Sequence, residues 1–219
     1  MNVFDIIGPV MIGPSSSHTA GAARIGRIAS ALLGEKPIDA KIHLHGSFAK
    51  TYRGHGTDKA LIAGILGMKP DDARLRESER IAKESGLTYA FVPDFFEDAH
   101  PNTAQIFLKG EEGGQVSVRG ASIGGGNILI TKVNEMPVEL TGQYTALIVL
   151  HQDTPGAIAS VTELVGRTGA NICNFRLARE KKGGVAVMCI EFDGVLDSCI
   201  KSQIRALPNI LSCTILRPQ

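Results

Sequence analysis

Apolar side chains recur at helical spacing over residues 20–33, where Ile25, Ile28, Ala29, Leu32 and Leu33 share one face and Gly34 supplies a stop. Strict alternation occupies residues 40–45, with Ala40, Ile42 and Leu44 inward and His43 and His45 outward, as in a half-buried strand. A glycine-rich connection over residues 46–56 leads to Thr57 and Asp58, good helix starters, then to Leu61, Ile62, Ile65 and Leu66 and the stop Gly67. A third helix is expected over about residues 72–85, ending at Gly86. Short strands are expected at residues 87–92, 103–109, 115–121 and 127–133, with Glu111-Glu-Gly-Gly114 joining the middle pair as a hairpin. This first stretch reads as α+β, and a polar bridge over residues 134–143 separates it from the C-terminal third of the chain.

The order then changes to strand 145–150, helix 156–168, strands 171–179 and 184–192, helix 197–206 and strand 210–215, a βαββαβ ferredoxin-like sandwich. Asp153-Thr-Pro-Gly156 opens its first helix and Gly169-Ala-Asn-Ile172 leads into its second strand. With these turns the segment resembles the ACT family of small regulatory modules. The resemblance implies pairing through sheet edges, hence a homodimer, and an amino-acid effector site at Asp153, Gly156, Gly169 and Asn171. Turn chemistry alone also asks for such residues, so a module that only dimerises stays open. The chain thus divides into two domains, 1–140 and 145–219, and a length of 219 residues suits two modest domains.

Composition narrows the function. With 43% hydrophobic residues, 21% charged and a formal charge of +1, the chain has no electrostatic bias, and nucleic acid is not an expected partner. The start, Met1-Asn-Val-Phe-Asp-Ile-Ile, carries an acid where a signal peptide needs basic residues, and its apolar stretch stops at Gly8-Pro9. No other apolar run approaches the ~20 residues of a membrane span, so no membrane partner and a cytoplasmic location are expected. Cys173, Cys189, Cys199 and Cys213 lack the close pairs of zinc or iron–sulfur motifs and read as buried thiols, with no metal held by this chain.

Candidate chemistry gathers in the first domain, which holds five of the six histidines: His18, His43, His45, His55 and His100. Gly13-Pro-Ser-Ser-Ser-His-Thr19 places the hydroxyls of Ser15, Ser16, Ser17 and Thr19 at a helix start, where free N–H groups and the dipole favour a carboxylate or phosphate. A capping role would need one hydroxyl, not four. In Arg53-Gly-His-Gly-Thr-Asp58, glycines leave His55 unobstructed to move a proton, with Asp58 or Thr57 to orient it. His100-Pro-Asn102 reads equally as a site loop or a turn. His43 and His45 share a strand face without a carboxylate or cysteine to complete a metal set. Ile123-Gly-Gly-Gly-Asn127 reads as a bulge or turn. Gly21 to Gly26 has P-loop spacing, but Arg27 stands where lysine is required, and no Gly-x-Ser-x-Gly elbow occurs.

In combination, Gly13-Pro-Ser-Ser-Ser-His-Thr19, His45-Gly-Ser-Phe-Ala49, Gly54-His-Gly-Thr-Asp58, His100-Pro-Asn102 and the terminal ACT module resemble the β chain of the bacterial iron–sulfur L-serine dehydratase. The resemblance implies an N-terminal α/β sandwich like the allosteric substrate-binding domain of some phosphoglycerate dehydrogenases. It implies a separate α chain that holds a [4Fe–4S] cluster, and conversion of L-serine to pyruvate and ammonia. His18 and His55 would handle protons, Ser15, Ser16, Ser17, Thr19 and Asp58 would bind substrate, and His100 and Asn102 would support them. Lys50-Thr-Tyr-Arg53 departs from the smaller stretch of fused enzymes. The same residues also fit an amino-acid-sensing module with no catalysis of its own. On the dehydratase reading, Ser15 to Thr19 form one wall of a shared site, exposed in the isolated chain.

Overall fold

The computed structural model describes residues 11–13 and 15–218. The expectations on Met1-Asn-Val-Phe-Asp-Ile-Ile, Gly8-Pro9 and Pro14 lie outside them. The chain forms two compact units, Met1–Glu135 and Met136–Gln219.

Unit 1 sets helices against a mixed sheet. A π-helical turn, Ser16–Gly21, runs directly into α1, Ala22–Leu33, whose buried Ile25, Ile28 and Ala29 carry out the predicted periodicity up to the left-handed Gly34. Strands β1 (Pro37–His45), β2 (Thr88–Asp94), β3 (Thr103–Gly110), β4 (Gln115–Gly124) and β5 (Asn127–Val133) take the order β2-β1-β3-β4-β5. β1 is parallel to β2 and antiparallel to β3, and β3 and β4 form the expected hairpin, with Phe107 opposite Ser117. Ile42, Leu44, Ile106, Leu108 and Val118 are buried on the inward face.

The expected connection over residues 46–56 is instead a helix, α2 (Gly46–His55), ended by Gly56 in the left-handed region. It is followed at once by α3, Thr57–Ile65. α1 and α3 cross at two glycines: a Cβ at Gly64 would lie 2.1 Å from the Ala23 carbonyl oxygen, and one at Gly26 2.5 Å from that of Leu61. Backbone-to-backbone contact there fixes α3, and with it the end of α2. The third predicted helix splits into a 3-10 stretch, Ala73–Glu77, and α4, Ser78–Ser85, with the Asp72 carboxylate accepting from the Arg74 N–H at the start.

Unit 2 opens with β6, Met136–Leu140, a strand in what the polar composition predicts to be a bridge. Then come β7 (Thr145–Gln152), α5 (Ala157–Gly166), β8 (Asn171–Arg179), β9 (Val185–Asp193), α6 (Cys199–Arg205) and β10 (Ile210–Leu216). The sheet order β10-β7-β9-β8 completes the βαββαβ sandwich, its core built on Leu147, Val149, Val161, Ile190, Phe192 and Ile200. The cysteines divide: Cys189 and Cys213 are buried, whereas Cys173 and Cys199 are exposed, against the expectation of four buried thiols. Among the described residues, no helix is long and apolar enough to cross a membrane.

Candidate functional site

The site is built where the π-helical turn, α2 and the β2–β3 loop meet. Folding α2 puts Ser47, Thr51 and His55 at i, i+4 and i+8, on one face. That face meets His18. The His18 Nε2 lies 3.2 Å from the Thr51 Oγ1 and 3.3 Å from the Ser47 Oγ, and its Nδ1 lies 3.3 Å from the Ser15 Oγ. The Thr51 hydroxyl donates its proton to the Ser47 carbonyl at 2.8 Å, so it can only accept from His18. This network assigns the proton to Nε2 and leaves Nδ1 to accept from the Ser15 hydroxyl, whose oxygen also accepts from the His18 N–H at 3.2 Å.

His18 is 9% exposed. Burial lowers its pKa first, and the neighbouring His55 lowers it further, so the ring is held neutral. The two rings meet edge to face with centroids 4.8 Å apart, and the Phe48 ring also packs against His18 with centroids 5.3 Å apart. His55 is exposed at the C-terminal end of α2 and lines a cleft of about 420 Å³ together with Thr19, Gly54 and Gly56.

The His100-Pro-Asn102 segment is docked by its backbone. The Pro101 carbonyl accepts from the N–H groups of Ser47 at 2.8 Å and Phe48 at 3.3 Å, filling the role of an N-cap for α2 that the His45 side chain does not take. Gly46 is required there, since a Cβ would come within 2.6 Å of that same oxygen. The Asn102 carbonyl accepts from Ser122 N–H at 3.0 Å, and the Asn102 Oδ1 and Ser122 Oγ are both buried without a partner. The Ser122 hydroxyl sits over Gly21 at the end of the π-helical turn, 2.1 Å from where a Cβ would be.

The expected site residues therefore divide. Ser15, His18 and His55 come together, Thr19 lines the cleft, and Asn102 reaches the assembly through Ser122, beside the Pro101 carbonyl that caps α2. Ser16 and Ser17 are half-buried in the same turn. The expectation that residues 15–19 stand exposed is corrected, because His18 and Thr19 are buried against α2. Asp58 is 8% exposed and accepts from the Lys59 N–H, and Thr57 keeps Oγ1 buried without a partner. Among the described hydrogen bonds, neither reaches His55. His100 is exposed and accepts from the Asn102 N–H at 3.1 Å.

His43 pairs with Asp94 at 2.7 Å. His45, expected on an outward face, is 9% exposed: its Nδ1 accepts from the Phe96 N–H at 3.0 Å and its ring stacks on Phe96. Among the described residues, no group of three or more His, Cys, Asp or Glu side chains is placed to hold a metal. Ser47 and Thr51 carry no signal in the sequence as long as residues 46–56 are read as a loop; their i, i+4 spacing to His55 is what finds them.

In unit 2, Asp153 and Gly156 line one cleft of about 400 Å³ with Arg179 and Lys182. The Asp153 carboxylate accepts from the Gly183 N–H at 3.1 Å and pairs with Arg179 at 2.8 Å, which together hold its pKa below the usual carboxylate range. Gly169 and Asn171 do not line it; the Asn171 side chain instead donates to Asp193 at 2.8 Å.

Comparison with known proteins respects the same division. The model of the family described as serine dehydratase beta chain matches residues 2–133, and that of the AHAS small subunit-like ACT domain matches residues 147–212. The protein named "Probable L-serine dehydratase, beta chain" of Bacillus subtilis (strain 168) is 44% identical over 97% of this chain and 96% of its own length. The L-serine dehydratase beta chain of Peptoniphilus asaccharolyticus is 37% identical over 93% of this chain and 92% of its own. A D-3-phosphoglycerate dehydrogenase of Bacillus subtilis is 27% identical over 89% of this chain but 37% of itself.

Proposed function

The chain belongs to the serine dehydratase beta-chain family, and from that premise we propose that it is the β subunit of a cytoplasmic L-serine dehydratase, active with a separate α chain. L-Serine loses its α proton and its hydroxyl group, and the resulting aminoacrylate isomerises to an imine that water hydrolyses to pyruvate and ammonia. Hydroxide is a poor leaving group, so this elimination calls for a Lewis acid. The resemblance assigns that part to a [4Fe–4S] cluster. The residues of this chain do not fit such a group: Cys189 and Cys213 lie in buried strands with thiols pushed up to about 12 and about 11, and Cys173 and Cys199 stand apart at the surface. On this reading the α chain holds the cluster.

This chain contributes a proton-handling wall. His55 reaches the cleft and is the group that meets the substrate. His18 behind it is neutral and fixed in one tautomer, which orients His55 and keeps a second positive charge away from it. Thr19 and the π-helical turn supply the hydroxyl and N–H donors for the serine carboxylate. The observation that carries the reading is the buried His18 edge-on to an exposed His55 at a cleft. Anaerobic co-expression with a cysteine-bearing partner chain should yield pyruvate from L-serine, and His55→Ala should abolish it. No pyruvate from the pair, or full activity in the variant, defeats the assignment.

A second reading, an amino-acid-sensing module without catalysis, draws on the D-3-phosphoglycerate dehydrogenase, which matches most of this chain with about a third of its own length. Serine binding to the isolated chain that depends on Asp153 and not on His18 or His55 would favour it.

A further inference from the structure

The cleft at His55 carries more positive charge than a serine carboxylate needs. Arg53, Lys59 and Arg76 line it with His55 and Thr19, above buried Leu75. Among the described residues, no acidic side chain lines it and none of the three cations makes an ion pair. The chain as a whole has a formal charge of +1, so the excess is local. Two acids neighbour these cations in sequence and neither pairs with them: Asp58, beside Lys59, is buried and turned back on the Lys59 N–H of its own helix, and Glu77, beside Arg76, pairs with Arg80. The cleft residue Gly56 is also the N-cap of α3 and offers it no side-chain cap. A Cβ added at Gly54 or Gly56 would meet nothing within 4 Å, so a ligand held by the three cations can come close to the chain there, while the Gly56 N–H itself stays with the Tyr52 carbonyl.

Serine at neutral pH is a zwitterion without net charge, and its ammonium group gains nothing among three cations. A dianion with several oxygens matches both the charge and the forked donors of Arg53 and Arg76. We propose that this cleft binds a dianionic phosphate group, either free phosphate or the monoester of a small molecule. It competes with the amino-acid substrate for the rim at Thr19 and His55; this last point rests on the proposed function, whereas the binding itself does not.

The test is a titration of the full chain with inorganic phosphate, and separately with glycerol 3-phosphate, at constant ionic strength, followed by backbone amide NMR. Saturable shifts are expected at Gly54, Gly56 and Thr57. Lys59→Gln with Arg76→Gln, two side chains outside the packed core, should weaken them at least tenfold while the remaining amide spectrum stays native. Tighter binding of the ester names an ester as the ligand, and equal binding names free phosphate; both support the site. Absent shifts at those amides, or unchanged affinity in the double variant, overturn it. No turnover enters this readout, so the dehydratase reading can fail without it and survive its failure. In the reconstituted enzyme, phosphate should raise KM for serine and leave kcat unchanged; an unmoved KM at saturating phosphate overturns the competition.

Discussion

Each unit buries a histidine, and the two are treated differently. In unit 1, His18 has both ring nitrogens within reach of hydroxyls, from Ser15 on one side and Ser47 and Thr51 on the other, with a second histidine against its face. In unit 2, His151 is 1% exposed on β7; its Nδ1 lies 2.8 Å from the Gln152 carbonyl, and its Nε2 is buried with no partner. An unpaired buried polar atom costs stability, and nothing around His151 returns that cost as an organised site. Around His18 four side chains are arranged to hold one ring, one tautomer and one charge state. The difference separates a histidine that is a packing element from one that a site is built around.

The sharpest way to break this contrast is to remove each ring. His18→Leu should lower kcat of the reconstituted dehydratase by about 10²–10⁴-fold, the range for loss of a proton-handling assembly. His151→Leu should leave kcat within about twofold, because it removes a ring whose Nε2 has no partner and around which no proton-handling group is gathered. Circular dichroism checks that both variants fold. Equal losses of activity would show that His18 is only another buried ring.

Much of this architecture is legible in the residues, and the failures have physical causes. The apolar periodicity of α1, the alternation of β1 and the whole βαββαβ order need only local pattern. α2 escapes because Gly46, Gly54 and Gly56 look like a flexible connection, although glycine is required at only some of those places: Gly46 for the approach of Pro101, and Gly56 for its φ of 72°. β6 escapes because Asn134 and Glu135, both at positive φ, make the preceding stretch read as loop, while its buried contacts rest on Met136 and Leu140 alone. The motifs identify His18 and His55 as candidates, but their edge-to-face contact depends on the crossing of α1 and α3 and has no local signature. Arg53, Lys59 and Arg76 belong to no motif, and only the fold gathers them around one cleft.

That crossing supplies the next test. Gly64→Ala forces a methyl group into the Ala23 carbonyl and should cost about 1–3 kcal/mol, read as a lower denaturant midpoint with an unchanged slope. Gly166→Ala, near the end of α5, meets nothing within 4 Å and should stabilise by about 0.5–1 kcal/mol through helix propensity. If both substitutions act in the same direction, the close α1–α3 contact is not what holds the site in place.

A smaller effect is expected from pH. The pKa of His18 is lowered in the folded chain, so below its ordinary value of 6.5 the unfolded chain takes up a proton that the native state refuses. Its contribution therefore favours folding above that value and is lost as pH falls through the interval down to the lowered one. Urea midpoints at pH 7.5 and 5.5 should show the loss, and His18→Leu should reduce it. An identical pH dependence in that variant would mean that the ring is not desolvated.

The smallest effect should come from the turn of unit 2. Asp153 is exposed enough that the Gly183 N–H and Arg179 hold its carboxyl below the ordinary value without desolvation opposing them strongly. The sign is opposite to that of an acid raised by burial, and the window lies lower than that of His18. A depressed carboxyl favours the folded chain above its unfolded value of 3.8 and loses that contribution as pH falls through the depressed one. Exposed pairs of this kind contribute little at neutral pH. Asp153→Asn should therefore leave the denaturant midpoint at pH 7 nearly unchanged, less than Gly64→Ala moves it. The same variant also decides whether unit 2 does more than assemble the protein. An unchanged serine saturation curve leaves the turn as a structural element, whereas a shifted half-saturation point with unchanged stability makes the cleft at Asp153 and Gly156 an effector site that acts on unit 1.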